Sequence, residues 1–224
     1  MLEHNATHIG AFFDMDRTLL RDSSGRLYLR YLRQTGRLSR RSWLVITYQV
    51  GRYLLGLVDF PALMARLTAT VGDAEEAEAW QISCEWFTAM LRHYITDAAR
   101  QQVRWHQDQG HHVAIVSAAT PFAVAPVARD LGLDGRYLAT QLEAVQGRFT
   151  GRCVPPVCFG QGKVLLATSY AAEHGLDLQH SYFYSDSHDD LPLLEAVGHP
   201  VAVNPNRKLA RIARTRGWPV MYFY

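Results

Sequence analysis

Ile9-Gly10-Ala11-Phe12-Phe13-Asp14-Met15-Asp16-Arg17-Thr18-Leu19-Leu20 runs from an apolar segment straight into two carboxylates and a hydroxyl. Ile9 to Phe13 reads as a buried strand. Side chains alternate along an extended chain, so Asp14 and Asp16 share one face if that geometry continues past the strand end. Carboxylates crowded at the mouth of a buried strand repel each other and lose hydration. A divalent cation removes that conflict. The pattern therefore points to a metal-assisted site, with one carboxylate available as a nucleophile.

The second half of the chain alternates. Strands are expected at His112 to Ser117, Tyr182 to Ser185, Pro200 to Val203 and Pro219 to Tyr222. Between them lie expected helices: Pro121 to Leu131 closed near Gly132, Gly162 to His174 stopped by Gly175, Asp189 to Val197, and Arg207 to Arg216 ended by Gly217. Tyr137 to Val154 alternates around Gln146-Gly147 and reads as a hairpin. Alternating strands and helices predict an α/β fold with a doubly wound parallel sheet. A crossover needs one helix, and Thr96 to Gln109 supplies it. The remainder, about Leu20 to Tyr94, holds surplus helices at Leu27 to Leu38, Trp43 to Leu57, Phe60 to Val71 and Asp73 to Leu91. These read as an inserted helical cap over the carboxyl edge of the sheet, where such folds bind ligands. The expected division is a core of residues 1–20 and 95–224 with a cap of residues 21–94.

Three further features reach that edge. Ser117 follows a strand and precedes a helix, placing a hydroxyl where an oxyanion can sit, or merely capping the helix. Lys163 opens a helix against its dipole, which a nearby anion would offset; the plain alternative is a solvated lysine. Tyr184-Ser185-Asp186-Ser187-His188-Asp189-Asp190-Leu191 again ends a strand in carboxylates. Asp189 and Asp190 fit as helix-start acids, but Asp186 at the strand end does not. Each feature is weak alone; four in order, each at a strand end or helix start, make a strong signal.

Composition bounds the rest. The 224 residues are 48% hydrophobic with a formal charge of +2, which describes a globular protein with no global drive towards nucleic acid. Arginines from Arg17 to Arg41 read as a solvated helical face, or as groups meeting an anionic substrate. Cys84, Cys153 and Cys158 lack metal or disulfide spacing and suit a reducing cytosol. Glu3, His4 and Asn5 do not open a signal peptide. Trp43 to Phe60 is too short and too polar for a membrane span and is expected to form a buried helix pair. His106, His111 and His112 read as surface or turn residues at the far end of the sheet.

These motifs resemble the haloacid dehalogenase superfamily of phosphohydrolases, in its phosphoserine-phosphatase-like branch with a helical cap. The resemblance covers essentially the whole chain. Asp14-Met15-Asp16-Arg17-Thr18 is similar to the DxDxT signature, and Ser117, Lys163 and Asp186 to Asp190 are similar to the remaining motifs. The string from Tyr184 to Asn206 resembles a subgroup described as phosphoserine- or histidinol-phosphatase-like. The resemblance implies that Asp14 takes the phosphoryl group and that Asp16 protonates the leaving alcohol and then activates water. It also implies that Asp14, the backbone carbonyl of Asp16, and Asp186 hold Mg²⁺. Asp190 would orient a metal-bound water or Lys163. Ser117 and Lys163 would bind phosphoryl oxygens, with Thr18, Ala118 and Asp189 beside the substrate. The branch usually carries Asn at the position of Asp189, and its phosphoserine specialists carry a cap Glu where spacing puts Ser23.

The resulting expectation is a cytoplasmic Mg²⁺-dependent phosphomonoesterase for a small phosphorylated metabolite, with no nucleic-acid or membrane partner. Alternatives are a phosphotransferase using the same intermediate, a non-catalytic binding module retaining the fold, and a lipid-phosphate phosphatase working at a membrane surface through Trp43 to Phe60. The sequence leaves oligomeric state open.

Overall fold

The computed structural model describes residues 8–224. The reading of Glu3 to Asn5 lies outside them. Six parallel strands form one sheet: β1 (Gly10–Phe13), β2 (His112–Val116), β3 (Tyr137–Leu138), β6 (Tyr182–Ser185), β7 (His199–Val203) and β8 (Val220–Met221), in the order β3-β2-β1-β6-β7-β8. Strand alternation splits the core into two layers. Phe13, Ile115 and Tyr184 face α5 (Asp97–Asp108) and α6 (Pro121–Asp130). Phe12, Ala114 and Phe183 face α7 (Gln161–Glu173), α8 (Leu191–Ala196) and α9 (Arg207–Arg216). Fully burying a Phe side chain stabilises by about 1.5–3 kcal/mol, and a one-residue slip would turn every such residue to the wrong layer.

The winding reverses at β1. The crossovers from β1 to β2 and from β2 to β3, through α5 and α6, use one face, and those through α7, α8 and α9 use the other. The crevice between β1 and β6 at their carboxyl ends is thus the topological switch point. Both strands end there in acids: Asp14 after β1 and Asp186 after β6.

Between β1 and β2 the chain leaves the sheet for four helices: α1 (Ser24–Gln34), α2 (Arg40–Leu54), α3 (Phe60–Ala69) and α4 (Glu76–Ala89). Its exit and return are tied together, Arg21 N–H to Tyr94 O at 2.9 Å and Thr96 N–H to Leu19 O at 3.1 Å. The hairpin of β4 (Leu142–Val145) and β5 (Arg148–Cys153) turns at Gln146-Gly147, whose φ values of 52° and 75° are those of a tight primed turn. It packs on α3, with Asp73 N–H donating to Phe149 O at 2.8 Å and Phe149 N–H to Ala74 O at 3.0 Å, and the Phe149 ring also meets Phe122 of α6 edge-on.

Several expectations change. Tyr137–Leu138, read as part of the hairpin, is an edge strand of the main sheet beside β2. The helix expected from Asp189 begins at Leu191, after a short 3₁₀ turn over His188–Asp190. α2 and α3 pair as expected, but α2 is not buried: none of its described side chains is buried, and Leu44 and Tyr48 are 67% and 64% exposed, while α3 buries Leu63 and Thr68. His106 is not a surface residue. It is fully buried, its Nε2 2.8 Å from Tyr184 Oη and its Nδ1 2.7 Å from His111 Nδ1. Burial, and then the neighbouring His111, hold its pKa down to about 3, so it stays neutral.

Candidate active site

β1 delivers Asp14 to a cavity of about 190 Å³ at the switch point. Asp14 N–H is bonded to Tyr184 O of β6 at 2.9 Å, which fixes where the side chain emerges. The chain then makes a single wide turn over Met15–Leu19, closed by Leu20 N–H to Met15 O at 2.9 Å. Arg17 sits inside that turn with a φ of 58°, a strained value for a residue with a side chain. Its carbonyl is held from the far end of the sequence, by Asn204 Nδ2 at 3.1 Å and Tyr224 Oη at 3.3 Å.

Asp16 lies in that turn beyond the end of β1, so the two are not carried on one strand face as sequence allowed, although both line the cavity. Asp16 accepts Ser24 N–H on Oδ1 at 2.8 Å and Ser23 Oγ–H on Oδ2 at 3.3 Å, at the amino end of α1. Burial raises its pKa, and the Ser24 bond opposes the rise. Ser23, where the branch's substrate-binding Glu would fall, serves here to hold Asp16.

Lys163 is delivered by α7. The preceding Gly162 has no substitute, because a Cβ there would collide with the Val157 carbonyl. Lys163 is 2% exposed, and its Nζ donates to Asp14 Oδ1 at 2.7 Å and Asp190 Oδ2 at 2.8 Å. Burial alone would lower its pKa; Asp14 and Asp190 more than offset this, and the net shift is upward, so it is charged. Ser185 Oγ, also fully buried, donates to the same Asp190 oxygen at 2.7 Å. The plain reading of Lys163 as a solvated lysine is thereby excluded.

Asp186 is different. It is 7% exposed, and its carboxylate accepts no hydrogen bond among the described residues; neither does Asp14 Oδ2. Burial, and then the Asp190 charge, push Asp186 up to about 7. For Asp14 burial raises the pKa, Lys163 pulls it back, and the net shift is upward. Among the described residues no three His, Cys, Asp or Glu side chains form a complete metal set by themselves. The unpaired Asp186 and the Asp14 carboxylate, hard-oxygen donors on adjacent strand ends, nevertheless fit Mg²⁺, which takes one or two protein carboxylates and keeps several waters.

The other expected residues divide. Ala118, Asp189 and Asp190 line the cavity with Asp14, Asp16, Lys163 and Asp186. Asp189 does not turn away as a helix cap: it accepts Ser187 Oγ–H at 3.1 Å and faces the cavity. Ser117 stands behind Ala118, outside the lining, with its Oγ accepting Ala119 N–H at 3.2 Å. Thr18 corrects the expectation of a substrate contact. It is fully buried under the wide turn and does not line the cavity, and its Oγ1 has no partner among the described residues. Sequence reasoning missed Ser185, Phe159, Asn204 and Tyr224. Ser185 carried a usable signal, a hydroxyl on a buried strand next to Asp186. Phe159 joins the cavity wall and stacks on Phe60 of α3 at 4.4 Å, and Tyr53 of α2 packs edge-on to Phe60. Phe159 thereby links the cavity wall to α2 and α3.

Residues 11–195 match the family model described as haloacid dehalogenase-like hydrolase. The chain is 35% identical over 217 residues to phosphoserine phosphatase SerB1 of Mycobacterium tuberculosis (strain ATCC 25618 / H37Rv), covering 95% of this chain and 70% of that one. It is 32% identical over 218 residues to the histidinol-phosphatase of Neisseria meningitidis serogroup C (strain 8013), covering 95% and 98%. A crystal structure of a protein of unknown function from Bordetella pertussis Tohama I superposes with a TM-score of 0.90 at 34% identity, covering 97% of this chain and all of that one. The chain therefore belongs to the haloacid dehalogenase-like hydrolases, as a phosphatase of that family.

Proposed function

We propose that the chain hydrolyses small phosphomonoesters with Mg²⁺, through a phosphoryl group carried on Asp14. The observation that carries this reading is the buried Asp14–Lys163–Asp190 cluster beside the unpaired Asp186, all opening on one cavity. Asp14 Oδ2, which accepts no hydrogen bond among the described residues, is free to attack phosphorus. The bond from phosphorus to the leaving oxygen then breaks, and Asp16 gives its proton to that oxygen. The raised pKa of Asp16 keeps a proton available for this step. In the second half, Asp16 takes a proton from water, the water oxygen bonds to phosphorus, and Asp14 leaves as a carboxylate with release of inorganic phosphate.

Lys163 holds Asp14 in place and presents positive charge to the phosphoryl oxygens, and the Ala118 backbone N–H donates to them. Ser117 positions that turn through Ala119. Asp190, fixed by Ser185, orients Lys163. Asp14, the Asp16 carbonyl and Asp186 would hold Mg²⁺, which offsets the negative charge gathered in the transition state. In this reading the parallel sheet and its flanking helices form the catalytic core, and residues 21–94, with the hairpin on α3, limit what enters.

The Asp189 carboxylate favours a leaving group that carries a positive charge. Phosphoserine and histidinol phosphate, named for two of the relatives, both carry an ammonium. The free Cys84, Cys153 and Cys158 support a cytoplasmic setting, and no helix among the described residues is long and apolar enough to cross a membrane. The test is a phosphate-release screen over phosphorylated metabolites, with Asp14→Asn as the blank. Mg²⁺-dependent release from an amine-bearing monoester is expected. No release above the blank from any of them would refute the reading.

A further inference from the structure

Residues 23–58 contain seven arginines, no lysine and no acidic residue, although the whole chain carries a net charge of only +2. The rest of the protein is therefore net negative, and the positive charge is concentrated on α1, α2 and their connections. Only Arg26 and Arg37 of the seven meet a carboxylate among the described residues, Asp22 and Glu85. Arg30 bonds Tyr94 Oη instead, and Arg33 and Arg52 lie over the rings of Trp43 and Tyr48 at 5.7 and 5.8 Å. Arg40 and Arg41 are exposed and pair with no acid among the described residues.

Among the described residues, the same segment holds the exposed apolar side chains Trp43, Leu44, Val45, Tyr48, Leu55 and Leu57. Leu44, Tyr48 and Leu55 fall within about 40° of arc at 3.6 residues per turn. Leu55 and the following Leu57 are 75% and 65% exposed. The opposite face of α2, through Ile46, Gln49, Val50 and Tyr53, is half-buried and turned towards α3, where Arg66 donates to Gln49 and Tyr53 meets Phe60. The outer face is thus a row of aliphatic and aromatic groups bordered by unpaired arginines.

We propose that this face of the cap docks on an anionic phospholipid bilayer. A helix with apolar residues on one face and arginines beside them gains from both burial in the interface and attraction to lipid phosphates. Trp43 and Tyr48, amphipathic rings under guanidinium groups, suit the headgroup level. Charge decides against the other occupants. A second copy would bring one arginine-rich surface against another. A nucleic acid would match the arginines but leave Leu44, Leu55 and Leu57 against phosphodiesters, with nothing gained.

The test is flotation of the full chain with vesicles of pure phosphatidylcholine and vesicles containing about one-third phosphatidylglycerol. Binding to the anionic vesicles only, weakened by salt, is expected. Arg40→Gln/Arg41→Gln should lower partitioning by roughly thirtyfold, and Leu44→Ser/Tyr48→Ser by a similar factor. Both variants should keep the wild-type circular dichroism melt and wild-type hydrolysis of an aryl phosphate. Failure of the wild type to float with anionic vesicles would overturn the proposal. So would variants that float like the wild type, a dimer that these substitutions dissociate, or tighter binding to single-stranded RNA than to the vesicles.

Discussion

Lys163→Met strands two buried carboxylates. In the wild type one ammonium, 2% exposed, serves both Asp14 at 2.7 Å and Asp190 at 2.8 Å. Methionine fills similar volume but donates nothing. The cheapest escape is to protonate one carboxyl so that it bonds the other. At pH 7 that proton is bound about three units above an ordinary carboxyl pKa, at about 1.4 kcal/mol per unit, so the cost is about 4 kcal/mol. Breaking a buried ion pair on one side costs a similar amount. For a chain of this size the melting temperature should fall by about 10 °C. The sign with pH follows. In the variant the folded carboxyl pKa lies above its unfolded value, so the folded state binds more protons and its stability falls as pH rises. The gap from wild type is therefore widest near neutrality and closes towards pH 4. Adding Asp190→Asn to Lys163→Met removes one stranded charge and should recover part of the loss. The assay is thermal denaturation by circular dichroism in metal-free buffer across pH, with hydrolysis of an aryl phosphate, expected to fall by about 10²–10³, as the second readout. A variant melting within about 2 °C of wild type at pH 7, or a gap that widens on acidification, would refute the reasoning.

Further outcomes follow from the same geometry. Asp16→Asn should slow transfer of the phosphoryl group from an alkyl phosphate to Asp14, followed in a single turnover, by about 10²–10⁴ and transfer from a p-nitrophenyl ester far less, since that leaving group needs no proton; equal losses on both in that step would remove Asp16 from acid catalysis. Because burial raises the Asp16 pKa, the wild-type rate on the alkyl ester should decline as pH rises through it, and the Asn variant should lose that limb of the profile. Removal of divalent cations with EDTA should stop turnover and Mg²⁺ restore it, and full activity after exhaustive removal would contradict the pairing of Asp14 with Asp186. Asp189→Asn should reduce the preference in kcat/KM for an amine-bearing monoester over its amine-free counterpart by about tenfold, mainly through KM; an unchanged ratio would free Asp189 of any part in selection.

The acids at strand ends were legible because a folding chain gains nothing from burying like charges, so Asp14, Asp186 and Lys163 announced a common site. The Gln146-Gly147 turn was legible because its backbone requires left-handed residues. What sequence concealed was non-local. Nothing near Arg17 foretells that Asn204 and Tyr224 hold its carbonyl, or that the turn hands Asp16 to Ser23 and Ser24. Hydroxyl identity misled at Thr18, whose side chain the turn folds inward. Apolar periodicity from Trp43 to Leu57 identified a helix but not what covers it, so an exposed face was read as core. His106 failed in the opposite direction, a polar residue made internal by Tyr184 and His111.

Quenching the enzyme in acid during turnover of a phosphomonoester, followed by peptide mass spectrometry, tests the role of Asp14 most directly. The account predicts one phosphoryl group on the peptide carrying Asp14, formed and lost at rates consistent with turnover and absent from Asp14→Asn. Steady release of phosphate by an enzyme that never carries that group on Asp14, or carries it elsewhere, would contradict it.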